Sequence, residues 1–166
     1  MKQATQLMTD TVPKIFLYPG ELFVGETPHL VTTVLGSCIA VCLWDPKLQI
    51  GGINHYLLPL WNGEGLPSPR YGNIAIPKLI EKMLAAGADR RRLQAKLFGG
   101  AAVVGSTSAK LNVGERNIDF AKRNLELERI SISGASVGEN FSRKILFDTH
   151  TGKVLLKKVE ISQLQQ

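Results

Sequence analysis

A cysteine at the start of an apolar segment, followed further along by a histidine, is the pair of residues in this sequence best suited to covalent chemistry. Cys38 follows Gly36 and Ser37 and opens the apolar segment 38–44. This order predicts a thiol at the rim of a rigid strand, where backbone N–H groups can point at an incoming carbonyl oxygen. A free thiol is mostly protonated at neutral pH, so a nucleophilic cysteine needs a neighbouring base. His55, seventeen residues on, is the candidate base.

The predicted turn between these two residues can bring them together. The Asp-Pro pair at 45–46 favours a turn. Counted from Lys47, Cys38 lies nine residues before the turn and His55 eight after it, which predicts a hairpin with the two nearly opposite. The same spacing also fits a buried cysteine and a hydrogen-bonded core histidine, so both interpretations stay open. Cys42, in the middle of the strand, is expected to pack as a small apolar side chain.

Other groups of reactive residues give weaker predictions. Segment 100–107 has the glycine spacing and terminal threonine of a phosphate-binding loop, but Ser106 replaces the required lysine. We therefore expect close backbone packing at these glycines. The arginines at 90–92 follow the end of a predicted helix and have no aromatic residues interleaved with them, so we interpret them as surface charge. Arg116 lies on a predicted helix and is interpreted in the same way. The three histidines lack the spacing of a metal site, and we expect neither metal nor cofactor.

Length and composition predict one soluble domain, 1–166, with a flexible tail over about residues 1–13. The 166 residues are 44% apolar and 20% charged, which suits a packed core and argues against disorder. Two cysteines, no secretory pattern and no apolar run fit for a membrane span predict a cytoplasmic protein without membrane insertion. After residue 70, sixteen basic and nine acidic residues give a charge of +7. That excess suits an acidic partner, but it also fits a solvated helical surface.

The pattern of apolar residues predicts an α+β fold with helices on one side of a sheet layer. A helix opens at Asn73 and stops at Gly87, and a second is expected over about 114–127 with Asn112 as its cap. Segments 30–34 and 38–44 are apolar on both faces, which is typical of strands covered on both sides. The other strands are predicted at 14–18, 21–25, 50–58, 93–98, 130–135, 143–148 and 153–161.

The sequence resembles the CheD family of chemoreceptor glutamine deamidases. Its matching segments occur in order across residues 32–155, and this order makes the likeness specific. Two positions depart from the family pattern: Glu139 and Asn140 follow Gly138 where paired glycines are usual, and Asn73 stands where an acid is frequent. Neither departure touches the proposed nucleophile or base. The segments are 32–38 (TTVLGSC), 41–46 (VCLWDP), 51–59 (GGINHYLLP), 70–72 (RYG), 96–101 (KLFGGA), 112–117 (NVGERN) and 143–144 (RK) with 151–155 (TGKVL).

The resemblance implies a cysteine hydrolase that converts glutamine side chains of methyl-accepting chemotaxis receptors into glutamate, and that also hydrolyses receptor glutamate methyl esters. It assigns Cys38 as nucleophile, His55 as base and Thr32 as the third member that orients the ring. The implied fold is a layered β-sandwich with helices on one face, related to deamidating bacterial cytotoxins. No metal or organic cofactor is implied. The chemotaxis phosphatase CheC is an expected partner.

Two other functions remain open from the sequence. A non-catalytic adaptor would keep the fold and bind the CheC phosphatase or receptors without turnover. A hydrolase of small amides or esters would need a closed pocket of modest volume. Nucleic-acid binding has only the charge in its favour and is not expected. For a receptor substrate, the predicted loop 59–71 is long enough to be functional, and its Trp61 is the expected exposed contact.

Overall fold

Nine strands and two α-helices make up residues 11–102 and 112–159, the part of the chain that the computed structural model describes. The helices are α1 (Gly72–Ala85) and α2 (Val113–Leu127), and a short 3-10 turn spans Arg90–Arg92. The strands are β1 (Lys14–Phe16), β2 (Leu22–Gly25), β3 (Leu30–Leu35), β4 (Ile39–Asp45), β5 (Ile50–Asn54), β6 (Gln94–Gly99), β7 (Ser131–Val137), β8 (Ser142–Asp148) and β9 (Val154–Val159).

The strands form two sheets, and the helices cover one of them. One sheet has the order β1-β3-β8-β9 and the other the order β2-β5-β4-β6-β7. One apolar cluster joins the five-stranded sheet to α1 and α2, and a second cluster lies between the two sheets. The result is a three-layer α+β sandwich with both helices on one face, as the sequence predicted.

Strand β4 is the buried centre of the five-stranded sheet. Its alternate residues face opposite layers: Val41 packs in the cluster beneath the helices and Cys42 in the cluster between the sheets. Cys42 is 2% exposed, which confirms its predicted packing as a core side chain. The prediction that the strand at 30–34 is also covered on both faces was wrong. Thr32 and Val34 stay partly exposed because the outer face of the four-stranded sheet carries no further layer of described residues.

The predicted hairpin between β4 and β5 is confirmed, and Asp45 organises its turn. The buried Asp45 carboxylate accepts the backbone N–H groups of Lys47 and Leu48 and a two-point ion pair from Arg92. Although burial opposes ionisation, these hydrogen bonds hold the pKa of Asp45 at about 2. The turn therefore keeps its charge, and with it the hairpin register, down to strongly acidic pH.

The arginine run serves the fold through ion pairs. Arg90 pairs with Glu128 and Arg91 with Asp89, while Arg92 joins Asp45. The candidate phosphate loop at 100–107 lies mostly outside the described residues. Gly100 is described, and there a side chain would collide with Ile118, as expected for close packing. Neither helix in the described ranges has the length and apolar character needed to cross a bilayer.

Helix boundaries follow the predicted signals closely. Helix α1 buries the expected apolar stripe, and Gly87 adopts a φ of +105° just after the helix ends, as a C-terminal stop requires. Asn112 does occupy the N-cap position of α2, but its side chain makes no capping hydrogen bond.

Candidate functional site

The register of β4 and β5 places Cys38 and His55 on the same face of the five-stranded sheet. Ile39 and Tyr56 form a bridge with mutual backbone hydrogen bonds of 3.1 and 2.9 Å. Side chains alternate along each strand, so Cys38 and His55, which immediately precede these two residues, both face the space between the sheets. The pairing makes them diagonal neighbours across the hairpin rather than directly opposite. Diagonal positions lie about 7 Å apart, which two side chains can span.

Cys38 lies at the rim of the sandwich, as predicted. It sits between β3 and β4, is half-buried, and packs against the cluster between the sheets. Partial burial raises the pKa of its thiol, while its own backbone N–H opposes that shift. The resting sulfur is therefore a protonated thiol with access to solvent, and it needs a base to become a nucleophile.

His55 is held by a short hydrogen-bonded chain. Its Nδ1 lies 2.8 Å from Thr33 Oγ1, and the Thr33 hydroxyl donates its only proton to the Leu17 carbonyl at 2.8 Å. An Nδ1–H tautomer satisfies the Leu17 carbonyl, the Thr33 hydroxyl and Nδ1 together, because the hydroxyl then donates to Leu17 and accepts from the ring. The ring therefore carries its proton on Nδ1 and leaves the Nε2 lone pair free to accept one.

The His55 ring is also kept uncharged. The ring is 2% exposed, and Nε2 has no hydrogen-bond partner among the described residues. Burial lowers the pKa of His55 to about 4, so the imidazole is uncharged at neutral pH. A neutral, oriented imidazole with an unused basic nitrogen can take the proton of a nearby thiol.

The hydrogen bond expected from Thr32 is made by Thr33. The residues of β3 alternate between faces: Thr33 points inward with Val31 and Leu35, whereas Thr32 points to the outer surface beside Leu30. The Thr32 side chain therefore lies on the far side of the sheet from His55. The apolar residues on either side of the threonine pair do not distinguish the two, because Leu30 and Val34 flank Thr32 just as Val31 and Leu35 flank Thr33.

Two supports of the site went unnoticed in the sequence. The Gly100 N–H donates to the Cys38 carbonyl at 2.9 Å and the Ala101 N–H to the Gly36 carbonyl at 3.0 Å. The end of β6 therefore holds the loop 36–38, which carries the candidate nucleophile and is called the nucleophile loop below. Asn117 of α2 donates to the carbonyls of Ser37 and Leu57. Asn117 could have been singled out as an amide on the otherwise apolar face of a helix.

Two grooves of the described surface lie away from Cys38. One, of about 450 Å³, runs along the outer face of the four-stranded sheet and includes Thr32. The other, of about 430 Å³, lies between β2 and the end of α1. Trp61, predicted to be exposed, is half-buried, and its indole N–H donates to the Glu64 carbonyl. Nearby Leu66 is 90% exposed instead.

Fold and site together define a three-layer α+β protein with a thiol and a neutral imidazole at one edge of its sandwich. The chain belongs to the CheD family. A family model described as CheD chemotactic sensory transduction matches residues 57–158. That match confirms the resemblance drawn from the sequence.

Curated relatives extend the similarity to most of the chain. A protein of Trichlorobacter lovleyi named probable chemoreceptor glutamine deamidase CheD is 50% identical over 145 residues, which cover 87% of this chain and 90% of the relative. A protein of Sulfurimonas denitrificans with the same name is 50% identical over 148 residues, covering 89% and 95%. A relative from Anaeromyxobacter dehalogenans, named probable chemoreceptor glutamine deamidase CheD 1, is 40% identical over 146 residues, covering 88% and 85%.

Proposed function

We propose that this chain is a chemoreceptor glutamine deamidase in which Cys38 is the nucleophile, His55 the general base and Thr33 the residue that orients the ring. The observation that carries the proposal is the state of His55: Nδ1 is engaged by Thr33, and the buried Nε2 has no partner among the described residues. The names of the relatives supply the substrate class, glutamine side chains of chemoreceptors.

The first half-reaction forms a thioester. The Cys38 thiol gives its proton to His55 Nε2 as sulfur attacks the carboxamide carbon, and the carbonyl oxygen takes the negative charge. The backbone N–H of Cys38 interacts with its own sulfur, and together with the N–H groups of Gly36 and Ser37, which precede it in the chain, it is a candidate donor to that oxyanion. His55 then returns the proton to the leaving nitrogen. The C–N bond breaks, ammonia departs and the acyl group remains on Cys38.

The second half-reaction releases glutamate. Water enters where ammonia left, gives a proton to His55 Nε2 and attacks the thioester carbon. The C–S bond breaks, and the thiolate recovers its proton from His55. A glutamate methyl ester would form the same thioester with methanol as the leaving group, so we extend the proposal to receptor demethylation.

Burial favours a neutral resting pair over a thiolate–imidazolium pair. It raises the pKa of the Cys38 thiol and lowers the pKa of His55 to about 4, so both groups disfavour charge separation before substrate binds. The proton therefore moves as the carbon–sulfur bond forms. This arrangement protects the thiol from oxidation between turnovers, because reactivity follows the thiolate population.

The expected partners are part of the proposal. The receptor is a protein substrate that meets the chain in the cytoplasm, and the excess of basic residues after residue 70 favours its acidic surface. The CheC phosphatase is proposed as a second partner that competes for the enzyme. An adaptor without turnover would bind the same proteins, but it would not require an oriented base beside a thiol.

The deciding experiment incubates the protein with a receptor cytoplasmic fragment and follows ammonia release together with the mass change from amide to acid. The wild-type protein is expected to be active, and Cys38→Ser and His55→Ala to lose nearly all activity. Activity of Cys38→Ser equal to that of the wild type would exclude the thioester route. Receptor binding with no turnover by the wild type would favour the adaptor.

A further inference from the structure

Asn117 joins the two chain segments that carry the thiol and the imidazole. Its Nδ2 donates to the carbonyl oxygens of Ser37 and Leu57, each at 2.9 Å. Ser37 immediately precedes Cys38, and Leu57 lies two residues after His55. A single carboxamide on α2 therefore fixes the spacing between the nucleophile loop and the strand that bears the base.

The β4–β5 ladder ends before it reaches the residues that Asn117 links. The β4–β5 ladder runs from the Asp45–Ile50 pair to the Cys42–Ile53 pair. Beyond it, the Val41 N–H donates to the Asn54 side chain instead of to backbone, and the Ile39–Tyr56 bridge stands alone. Apart from that bridge, main-chain hydrogen bonds tie the two segments to other neighbours: the His55 N–H donates to the Glu21 carbonyl and the Gly100 N–H to the Cys38 carbonyl. The Asn117 amide adds a side-chain link between the two segments themselves.

Asn117 is itself held rigidly. Its side chain is fully buried, and its backbone carbonyl accepts the Tyr56 hydroxyl at 2.6 Å. Tyr56 directly follows His55, so α2 contacts the His55 strand through two separate hydrogen bonds. A rigid donor on a packed helix can hold reacting groups more accurately than a loop can.

The two carbonyl acceptors determine how the Asn117 amide is oriented. Both acceptors are carbonyl oxygens, so the NH2 end of the amide must face them, and Oδ1 is left buried with no partner among the described residues. The unsatisfied Oδ1 offsets part of the gain from the two donated bonds, whereas an apolar side chain would leave the Ser37 and Leu57 carbonyls without this donor. Packing alone therefore does not account for an asparagine here.

We propose that Asn117 is a positioning residue that sets the geometry between the Cys38 thiol and His55 Nε2, and so controls the chemical step without touching substrate. The proposal rests on the proposed Cys38–His55 chemistry. It predicts a loss in kcat with little change in KM, because the residue acts on the reacting groups and not on the receptor surface.

The test compares two asparagines of the same helix. Asn117→Leu removes the two donated hydrogen bonds and keeps the branching of the side chain. Asn124→Leu is the matched control, since Asn124 lies two turns further along α2 and its Oδ1 is also buried without a partner in the described structure. We expect Asn117→Leu to lower kcat for receptor deamidation about 100-fold with KM nearly unchanged, and Asn124→Leu to keep wild-type kinetics. Equal kinetics of the two variants would overturn the proposal.

A second readout measures the pair directly and does not need turnover. The rate of Cys38 alkylation by iodoacetamide at pH 7 reports proton transfer from the thiol to His55. Asn117→Leu is expected to lower the alkylation rate to that of His55→Ala. The double variant, which carries both substitutions, should react at the same rate as His55→Ala alone. Independent, multiplying effects would contradict a role through His55. If Asn117→Leu does not fold, Asn117→Ala takes its place in both assays with the same expected results.

The two readouts separate failure of this inference from failure of the proposed function. Wild-type protein that does not deamidate receptors, but whose Cys38 alkylation depends on both His55 and Asn117, would remove the deamidase proposal and retain the positioning role. If the wild-type protein deamidates receptors and Asn117→Leu is equally active and equally alkylated, the deamidase proposal is retained and the positioning role is removed.

Discussion

At the scale of single residues, the two neighbouring threonines of β3 provide a direct test of the site. Thr33→Val removes the acceptor for His55 Nδ1–H and frees the ring to change tautomer or rotate. A lost hydrogen bond of this kind corresponds to about a tenfold fall in kcat/KM. Thr32→Val is the matched control on the outer face and is expected to match the wild type. Both variants are measured with the receptor fragment, and the opposite ranking would return the orienting role to Thr32.

His55 also makes stability depend on pH. Its pKa is about 4 in the folded protein, against about 6.5 in an unfolded chain, so the unfolded state binds the proton first as pH falls. The resulting stability is present above pH 6.5 and is lost as pH falls toward 4. From pH 7 to pH 5 this contributes a loss of about 2 kcal/mol in the free energy of unfolding.

Urea denaturation at both pH values measures that loss. His55→Gln cannot take up the proton, so its free energy of unfolding is expected to change less between pH 7 and pH 5 than that of the wild type, by about 2 kcal/mol. The carboxylates, Asp45 included, are common to both proteins and cancel in the comparison. Parallel pH dependence of the two proteins would mean that His55 is not shielded from protonation in the native state.

At the scale of elements, the end of β6 is expected to tolerate no side chain where it meets the nucleophile loop. Gly99 has a φ of +110°, and a methyl group there would overlap the Cys38 carbonyl oxygen. Gly99→Ala should therefore cost about 1–3 kcal/mol from backbone strain alone, with activity lost as the loop shifts.

A glycine of the adjacent strand supplies the control. At Gly134 in β7, an added methyl group would meet only the Lys96 side chain, at 3.6 Å or more. Gly134→Ala is expected to stay within about 1 kcal/mol of the wild type and to keep its activity. Thermal unfolding and receptor deamidation are compared for both variants. A Gly99→Ala protein with full activity would show that the loop does not depend on this contact.

The elements themselves were largely predictable because their signals are local. The helical stripe ending at Gly87, the Asp-Pro turn and the alternation in β4 all depend on residues close in sequence. What the sequence did not reveal depends on packing between distant segments. The choice of Thr33 over Thr32 requires knowing which face of β3 meets β5, and the role of Asn117 requires knowing that α2 crosses the ends of both site strands. Spacing and resemblance both singled out Cys38 and His55 as the candidate nucleophile and base, but the third residue that the resemblance implied was Thr32, and Thr33 lies beside the ring instead.

At the scale of the whole molecule, the arrangement of the surface suggests how a protein substrate reaches Cys38. The chain returns from His55 directly into the segment between β5 and α1, where the Leu57 and Leu58 N–H groups donate to the Arg70 carbonyl and close a loop. That loop begins two residues after the base and presents Leu66, which is 90% exposed. An exposed leucine on the loop that follows His55 is better suited to contacting a receptor helix than to supporting this fold.

Leu66→Ser is therefore expected to raise KM for the receptor fragment severalfold while leaving kcat and thermal stability unchanged, since the side chain touches little of its own protein. Leu127→Ser is the matched control: that leucine is 83% exposed at the far end of α2, ten residues and so about 15 Å along the helix from Asn117. Steady-state kinetics with the receptor fragment distinguish the two. A rise in KM for both would indicate a general loss of surface hydrophobicity, whereas a rise for Leu127→Ser alone would place the receptor along the helix layer and away from this loop.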